Sequence, residues 1–239
     1  MHARTFSRLG TALAAVAVST MAFTPAYAAA GTIQVPSDFE PALSDTRATG
    51  HYEVVGTGLR VWTEGTTSTD KVAEYVATST PLADAGEPTL EYTPTSGTIP
   101  PGFQLVIDFD NDGSADGILV GEPTYSGNDW WLNNAADADV KANAPVTGGG
   151  SGSTWHGTLD QWRANFPDAQ VQAFGFSLGS GVLGDGIIDA INFAGTRHTF
   201  AADVVLTSKD QCKKGGWETS TSPVFKNQGD CVSSFASSK

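Results

Sequence analysis

The chain has 239 residues, a formal net charge of −13 and only two cysteines. So acidic a protein is a poor partner for nucleic acid or an anionic membrane surface, and suits binding of cations. Nothing after Ala28 approaches the length of a membrane span.

Residues 1–28 read as an export signal. Arg4 and Arg8 supply the positive start, Leu9 to Phe23 an apolar run, and Ala26-Tyr27-Ala28 a cleavage site, placing the protein outside the cell. About 210 residues remain, enough for one all-β domain with a proper core. That remainder divides by charge: residues 29–208 hold 6 Lys/Arg against 23 Asp/Glu, whereas 209–239 hold 5 against 3. An acidic domain followed by a small basic appendix is expected.

Short alternating segments run through the acidic part. "HYEVVGTGLRVWTEG" predicts two strands about Gly56-Thr57-Gly58; "KVAEYVAT", "TLEYT", "FQLVIDF", "GILVGE", "DWWLN", "VQAFGFSL", "IIDAINF" and "HTFAADVVL" follow, separated by Gly, Pro, Asn and Asp. The expected fold is an antiparallel β-sandwich of jelly-roll type. Two helices interrupt it. "TLDQWRANF" opens with a capping box, Thr158 and Gln161, and buries Leu159, Trp162 and Phe166 before Pro167 stops it. "AADADVKA" ends at Pro145, and 147–154, "TGGGSGST", is a flexible loop.

The strongest chemical signal is "DFDNDGSADGILVGE", 108–122. Asp108, Asp110 and Asp112 occupy positions 1, 3 and 5 of a cation loop, Gly113 position 6, Ser114 position 7 and Asp116 position 9. Calcium takes six to eight oxygens, and this spacing wraps them around one centre, Ser114 through its carbonyl. Leu119 stands where an EF-hand carries its bidentate glutamate, and both flanks read as strands, so a hairpin loop with a structural calcium is expected. The stretch resembles the calcium loops of FG-GAP repeats, DxDxDGxxD followed by an apolar strand and a Val-Gly pair. The resemblance carries over the loop alone, because those repeats come several at a time.

Gly175-Phe176-Ser177-Leu178-Gly179 spells the GxSxG of a serine-hydrolase nucleophile elbow. An elbow needs a helix directly after the serine, whereas "LGSGVLGDG" has no helical periodicity. Asp189 and His198 follow too soon in the chain to be partners on such a fold. Phe174, Phe176 and Leu178 instead alternate with small residues, so Ser177 reads as a strand residue and no catalytic residue is assigned.

Trp130 and Trp131 would face opposite sides of one strand. With Asn128 and Asn133 they form a candidate sugar-binding set, a ring for stacking and amides for hydroxyls; the simpler reading is a core Trp beside a rim Trp under the glycine loop. A glycosidase needs two facing carboxylates, and Glu53, Glu64, Glu74, Glu87, Glu91 and Glu122 show no evident pairing. His51, His156 and His198 lack metal-ligand spacing.

Cys212 and Cys231, alone in a chain bound for an oxidising compartment, are expected to pair. Their segment resembles a C-terminal element, KDQCK-x-GGW followed by FKNQGDCV, shared by many secreted bacterial proteins. It matches at Lys209 to Lys213, at Gly215, Gly216 and Trp217, and from Phe225 to Val232. "HGTLDQWRANFPDA" and "GFSLGSGVLGDGIIDAINF" likewise resemble exported proteins. These resemblances imply export and no particular activity. The chain therefore reads as a secreted, calcium-stabilised binding or surface-associated protein, with extracellular polysaccharide or a cell-envelope component as partner. A polysaccharide-active enzyme and a purely structural envelope protein remain alternatives.

Overall fold

A computed structural model describes residues 29–236 except Thr98 and Ser151; the expected export signal, 1–28, lies outside the described residues. In chain order the strands are β1 Ala29–Val35, β2 Gly50–Val55, β3 Gly58–Thr63, β4 Lys71–Pro81, β5 Thr89–Gly97, β6 Gly102–Asp108, β7 Gly117–Gly121, β8 Trp130–Leu132, β9 His156–Gly157, β10 Gln170–Gly179, β11 Gly184–Phe193 and β12 Thr196–Ala202. The helices are α1 Pro123–Ser126, α2 Ala138–Asn143, α3 Leu159–Asn165 and α4 Gln228–Ser234.

The strands build two facing sheets, as the alternation predicts. One runs β1-β12-β11-β3-β2, with β5 along the other side of β11; the second runs β4-β10-β6-β7-β8-β9. The pairings are antiparallel except β1 with β12, which is parallel from Ala29↔Thr196 to Val35↔Ala202. Consecutive strands β3 to β6 alternate between the sheets, and β10 passes to β11 in the same way. The chain thus wraps around its core.

The bulky positions meet in the middle. Phe174, Phe176 and Leu178 of β10 and Leu105 and Ile107 of β6 face Leu59, Val61, Ile188 and Phe200 of the other sheet, all buried. Phe174 stacks on Phe193 with ring centroids 4.4 Å apart. Edge strand β4 is covered by residues 38–47, whose Glu40 and Asp45 amides donate to the Tyr75 and Ala73 carbonyls at 2.8 and 2.9 Å. Covering that edge removes a row of unpaired backbone groups.

The capping box forms as the sequence predicts: Gln161 N donates to Thr158 Oγ1 at 3.4 Å and Thr158 N to Gln161 Oε1 at 3.0 Å. Helix α3 thereby sets Trp162 in the core, against Phe109 and Phe166. After β12 the chain leaves the sandwich. Cys212 and Cys231 are bonded to each other and, with Phe225, Leu206, Trp217, Val232 and Phe235, make a small separate cluster. Asp203 ties this segment back, accepting from the Ser37 amide and hydroxyl at 3.1 and 2.7 Å.

Candidate functional site

The acidic stretch is the hairpin loop between β6 and β7. Its first residue, Asp108, is only 2 % exposed. Its carboxylate accepts from the Asp112 and Gly113 amides at 3.1 and 2.8 Å and from Gln172 Nε2, on β10, at 3.2 Å. The turn closes through Asn111 at φ 60° and Gly113 at φ 99°, a left-handed conformation that suits Asn and Gly. Asp116 Oδ2 accepts from Phe109 N at 2.6 Å and Asp110 Oδ1 from Asp112 N at 3.2 Å.

These bonds gather Asp108, Asp110 and Asp116, one carboxylate oxygen of each lying within 4.8 Å of the others. That span is about twice a calcium–oxygen distance of roughly 2.4 Å, the separation of ligands on opposite sides of one ion. The cluster can hold a metal ion. Asp112 lies outside that group of three, and its Oδ1 accepts from the Ser114 amide at 2.8 Å. Burial raises the Asp116 carboxyl above its ordinary value, with Asp110 and Asp108 adding repulsion and the Phe109 amide opposing the shift.

Two neighbours escape a reading of the sequence. Asp137 N donates to the Asp116 carbonyl at 2.9 Å. Asp137 and Asp139, at the start of α2, line a cavity of about 410 Å³ together with Asp110 and Asp116. Their "DAD" pattern is visible in the chain, but no local signal brings it beside the β6–β7 loop. Gln172 is equally hidden, because only the β6–β10 pairing delivers it.

The tryptophans separate as strand alternation requires. Trp130 is 6 % exposed, packed edge-on to Phe103 with Gly121 under its ring. Trp162 Nε1 donates to its carbonyl at 3.1 Å. One edge of Trp130 reaches a groove of about 620 Å³ at the mouth of the sandwich, between β5, α1 and the start of α3. Leu90, Tyr92, Phe103 and four prolines give this groove an apolar lining, and Glu87, Asn128, Asp129 and Asp160 give it polar edges. The Tyr92 hydroxyl is buried without a hydrogen-bond partner among the described residues, and burial raises its pKa. Glu87 and Asp160 are both held by Arg163, at 3.0 and 2.8 Å, with their own side chains largely in solvent.

Trp131 looks the other way, half-buried on the outer face of the second sheet, and its Nε1 donates to Glu122 Oε2 at 3.0 Å. Asn133 does not join a sugar site: its Oδ1 accepts from the Ile118 amide at 3.0 Å and locks β8 to β7. The structure thus brings together Trp130 and Asn128 and leaves Trp131 and Asn133 elsewhere.

Ser177 lies within β10, buried, its Oγ 3.4 Å from the Gly179 carbonyl. Strand β11 follows after a short turn, where an elbow would have a helix. Of the other candidates, Glu91 pairs with Arg197 at 2.6 Å. Buried Glu74 accepts from Ser44 and Thr46. His51 stacks on Trp62 with centroids 5.0 Å apart. Comparison of the chain with family models, with curated proteins and with solved structures returns no match, so the site stands on its own chemistry.

Proposed function

We propose that this chain is a secreted, calcium-stabilised binding protein that holds a segment of extracellular polysaccharide in the groove at the mouth of its sandwich. The observation that carries the reading is the groove itself. An apolar floor of Leu90, Tyr92, Phe103 and the Trp130 edge, bordered by Asn128 and Asp129, suits a ligand with apolar faces and hydroxyl edges. The disulfide-closed C-terminal segment fits an oxidising, extracellular setting. Calcium at Asp108, Asp110 and Asp116 fastens the β6–β7 hairpin and supports the sheet that carries β8.

Binding is favoured over hydrolysis by the state of the groove's acids. A glycosidase's proton donor is a carboxyl shielded from solvent, with a second carboxylate across the bond. Of the groove's three acids, Glu87 and Asp160 are instead solvent-facing and tied to one arginine, which leaves Asp129 without a second free carboxylate in the groove. The test is a glycan array probed with protein lacking residues 1–28, in calcium and in chelator, beside an Asn128→Trp variant that fills the groove. Retention of a glycan by the wild type and its loss in the variant supports the reading. Retention unaffected by Asn128→Trp, or release of shortened oligosaccharide, overturns it.

A further inference from the structure

Inward-facing positions of a β-sandwich are normally apolar, since they fill the space between its sheets. Along one edge, where β1 and β12 face β4 and β10, they change character. Ile33 and Phe200 pair across β1 and β12 deep in the core, but one step along the same face the partners are Gly31 and His198. On β4 the buried Val72 and half-buried Val76 give way to Thr78 and Thr80. With Thr196, these residues surround a recess of about 350 Å³ floored by Ile33, Phe174 and Phe193. The recess lies across the sandwich from the groove, which sits where β5 faces β7 and β8.

Gly31 is what admits the histidine. A β-carbon there would stand 2.5 Å from His198 Nδ1 and 3.1 Å from Thr196 Cγ2, so only a bare backbone lets the imidazole lie across β1. The ring also leans on Phe174, with centroids 5.2 Å apart.

The fold leaves these polar groups with capacity to spare. The His198 imidazole makes no hydrogen bond among the described residues, and the Thr78 and Thr80 hydroxyls bond only to each other, at 2.8 Å. That pair keeps one hydroxyl proton and several lone pairs for a third partner. Burial lowers the His198 pKa, so at pH 7 the ring is neutral and offers one donor and one acceptor. Asp38, at the rim, accepts from the Gln34 amide at 2.7 Å through Oδ2. No lysine or arginine lines the recess, so it is no place for an anion. Neutral donors and acceptors above an aromatic floor suit a ligand that is uncharged, rich in hydroxyls and apolar on one side, as a sugar ring is. The volume stands at the small end of the roughly 300–1,000 Å³ of small-molecule sites, which suits one ring and not a chain.

We propose that the recess between β1–β12 and β4–β10 is a second binding site, for a single neutral sugar residue, with His198, Thr78 and Thr80 as its hydrogen-bonding groups and Phe174 and Phe193 as its floor. It stands on its own residues and does not depend on the reading of the groove.

The experiment uses protein lacking residues 1–28, whose imidazoles are those of His51, His156 and His198. NMR at constant pH follows their ring protons while methyl glycosides of glucose, galactose, mannose, N-acetylglucosamine and glucuronic acid are titrated in. The His198 signals are those missing from His198→Phe. At least one neutral glycoside should shift them in a saturable way, and the glucuronide should not. Thr78→Val should bind the same glycoside roughly two- to tenfold more weakly, the effect of one neutral hydrogen bond. Its melting temperature should be no lower than that of the wild type, because valine suits an inward strand position. Asn128→Trp should leave the titration unchanged. No response of His198 to any neutral glycoside, an equal response to the glucuronide, or undiminished binding by Thr78→Val would overturn the site. So would a Thr78→Val protein that melts lower and binds as before, which would assign the hydroxyls to the fold. Glycoside binding that leaves His198 unmoved and is lost in Asn128→Trp would place the sugar in the groove alone. His198 shifts that survive Asn128→Trp uphold the recess, whether or not the groove holds a polysaccharide.

Discussion

Replacing Asp110 by asparagine should move stability in opposite directions with and without calcium. Asp110, Asp108 and Asp116 each place an oxygen within 4.8 Å of the others. At that distance two full charges repel by roughly 1 kcal/mol in a water-like medium and about 3.5 kcal/mol at an effective dielectric of 20. Asp110 is exposed, so the lower figure applies. Its bond from the Asp112 amide survives, because an asparagine Oδ1 accepts as well as a carboxylate does. Asp110 faces two such repulsions, each roughly halved by salt at a Debye length of about 8 Å, so in chelator Asp110→Asn should gain about 1 kcal/mol in all and its melting temperature should rise by roughly 2–4 °C. In calcium at about a hundred times its dissociation constant, the wild type gains roughly 2.7 kcal/mol, or about 5–10 °C. The variant should show less than half of that gain. Asp108 would be the wrong choice, since its buried carboxylate also organises the turn through Asp112, Gly113 and Gln172. The assay is thermal unfolding by circular dichroism in excess calcium and in excess EGTA. A wild-type melting temperature that ignores calcium, or an Asp110→Asn protein less stable in EGTA, would refute the reasoning.

Trp162→Ala removes a fully buried ring and its bond to the Trp130 carbonyl; urea unfolding should show a loss of about 4 kcal/mol or more, and a loss under about 2 kcal/mol would mean that α3 is not part of the core. Changing both Cys212 and Cys231 to serine should cost the C-terminal segment about 3 kcal/mol for a 19-residue separation. Limited proteolysis should then cut within 203–236 and spare the sandwich, whereas digestion of the whole chain would show the two parts to be interdependent. Asp70 is held down to about 2 by the Thr49 hydroxyl and by the Thr67 hydroxyl and amide. A depressed carboxyl contributes fully above its unfolded value near 3.8 and loses that contribution as pH falls toward 2. Stability of the wild type should thus decline across that window more steeply than that of Asp70→Asn, and parallel acid-unfolding curves would rule this out.

Local pattern carried much of this molecule. Strand alternation in "VQAFGFSL" placed Phe174, Phe176 and Leu178 in the core and returned Ser177 to a strand, because period two leaves no choice of face once one face is bulky. The capping box at Thr158 and Gln161 marked the start of α3, since cap bonds close within a single turn. The spacing of the acidic loop predicted its hairpin, because its bonds from backbone amides to carboxylates are all local, the widest joining Phe109 to Asp116.

Tertiary structure decided the rest. Strand β1 pairs in parallel with β12, from the opposite end of the sandwich's sequence; the alternation of "TIQV", with Ile33 and Val35 buried, marks a strand but not its partner. The acidic cluster that could hold a metal ion brings together Asp108, Asp110 and Asp116, while Asp112 accepts from the Ser114 amide. Asp137, Asp139 and Gln172 reach the loop only through α2 and β10. Trp130 and Trp131, neighbours in the chain, belong to different surfaces, and which surface holds a groove depended on where β5 ends and α3 begins. The glycines at 148, 150 and 152 read as flexibility in one dimension. In three they mark the places where backbone lies against Asp129, Ser126 and Trp131 too closely for any side chain.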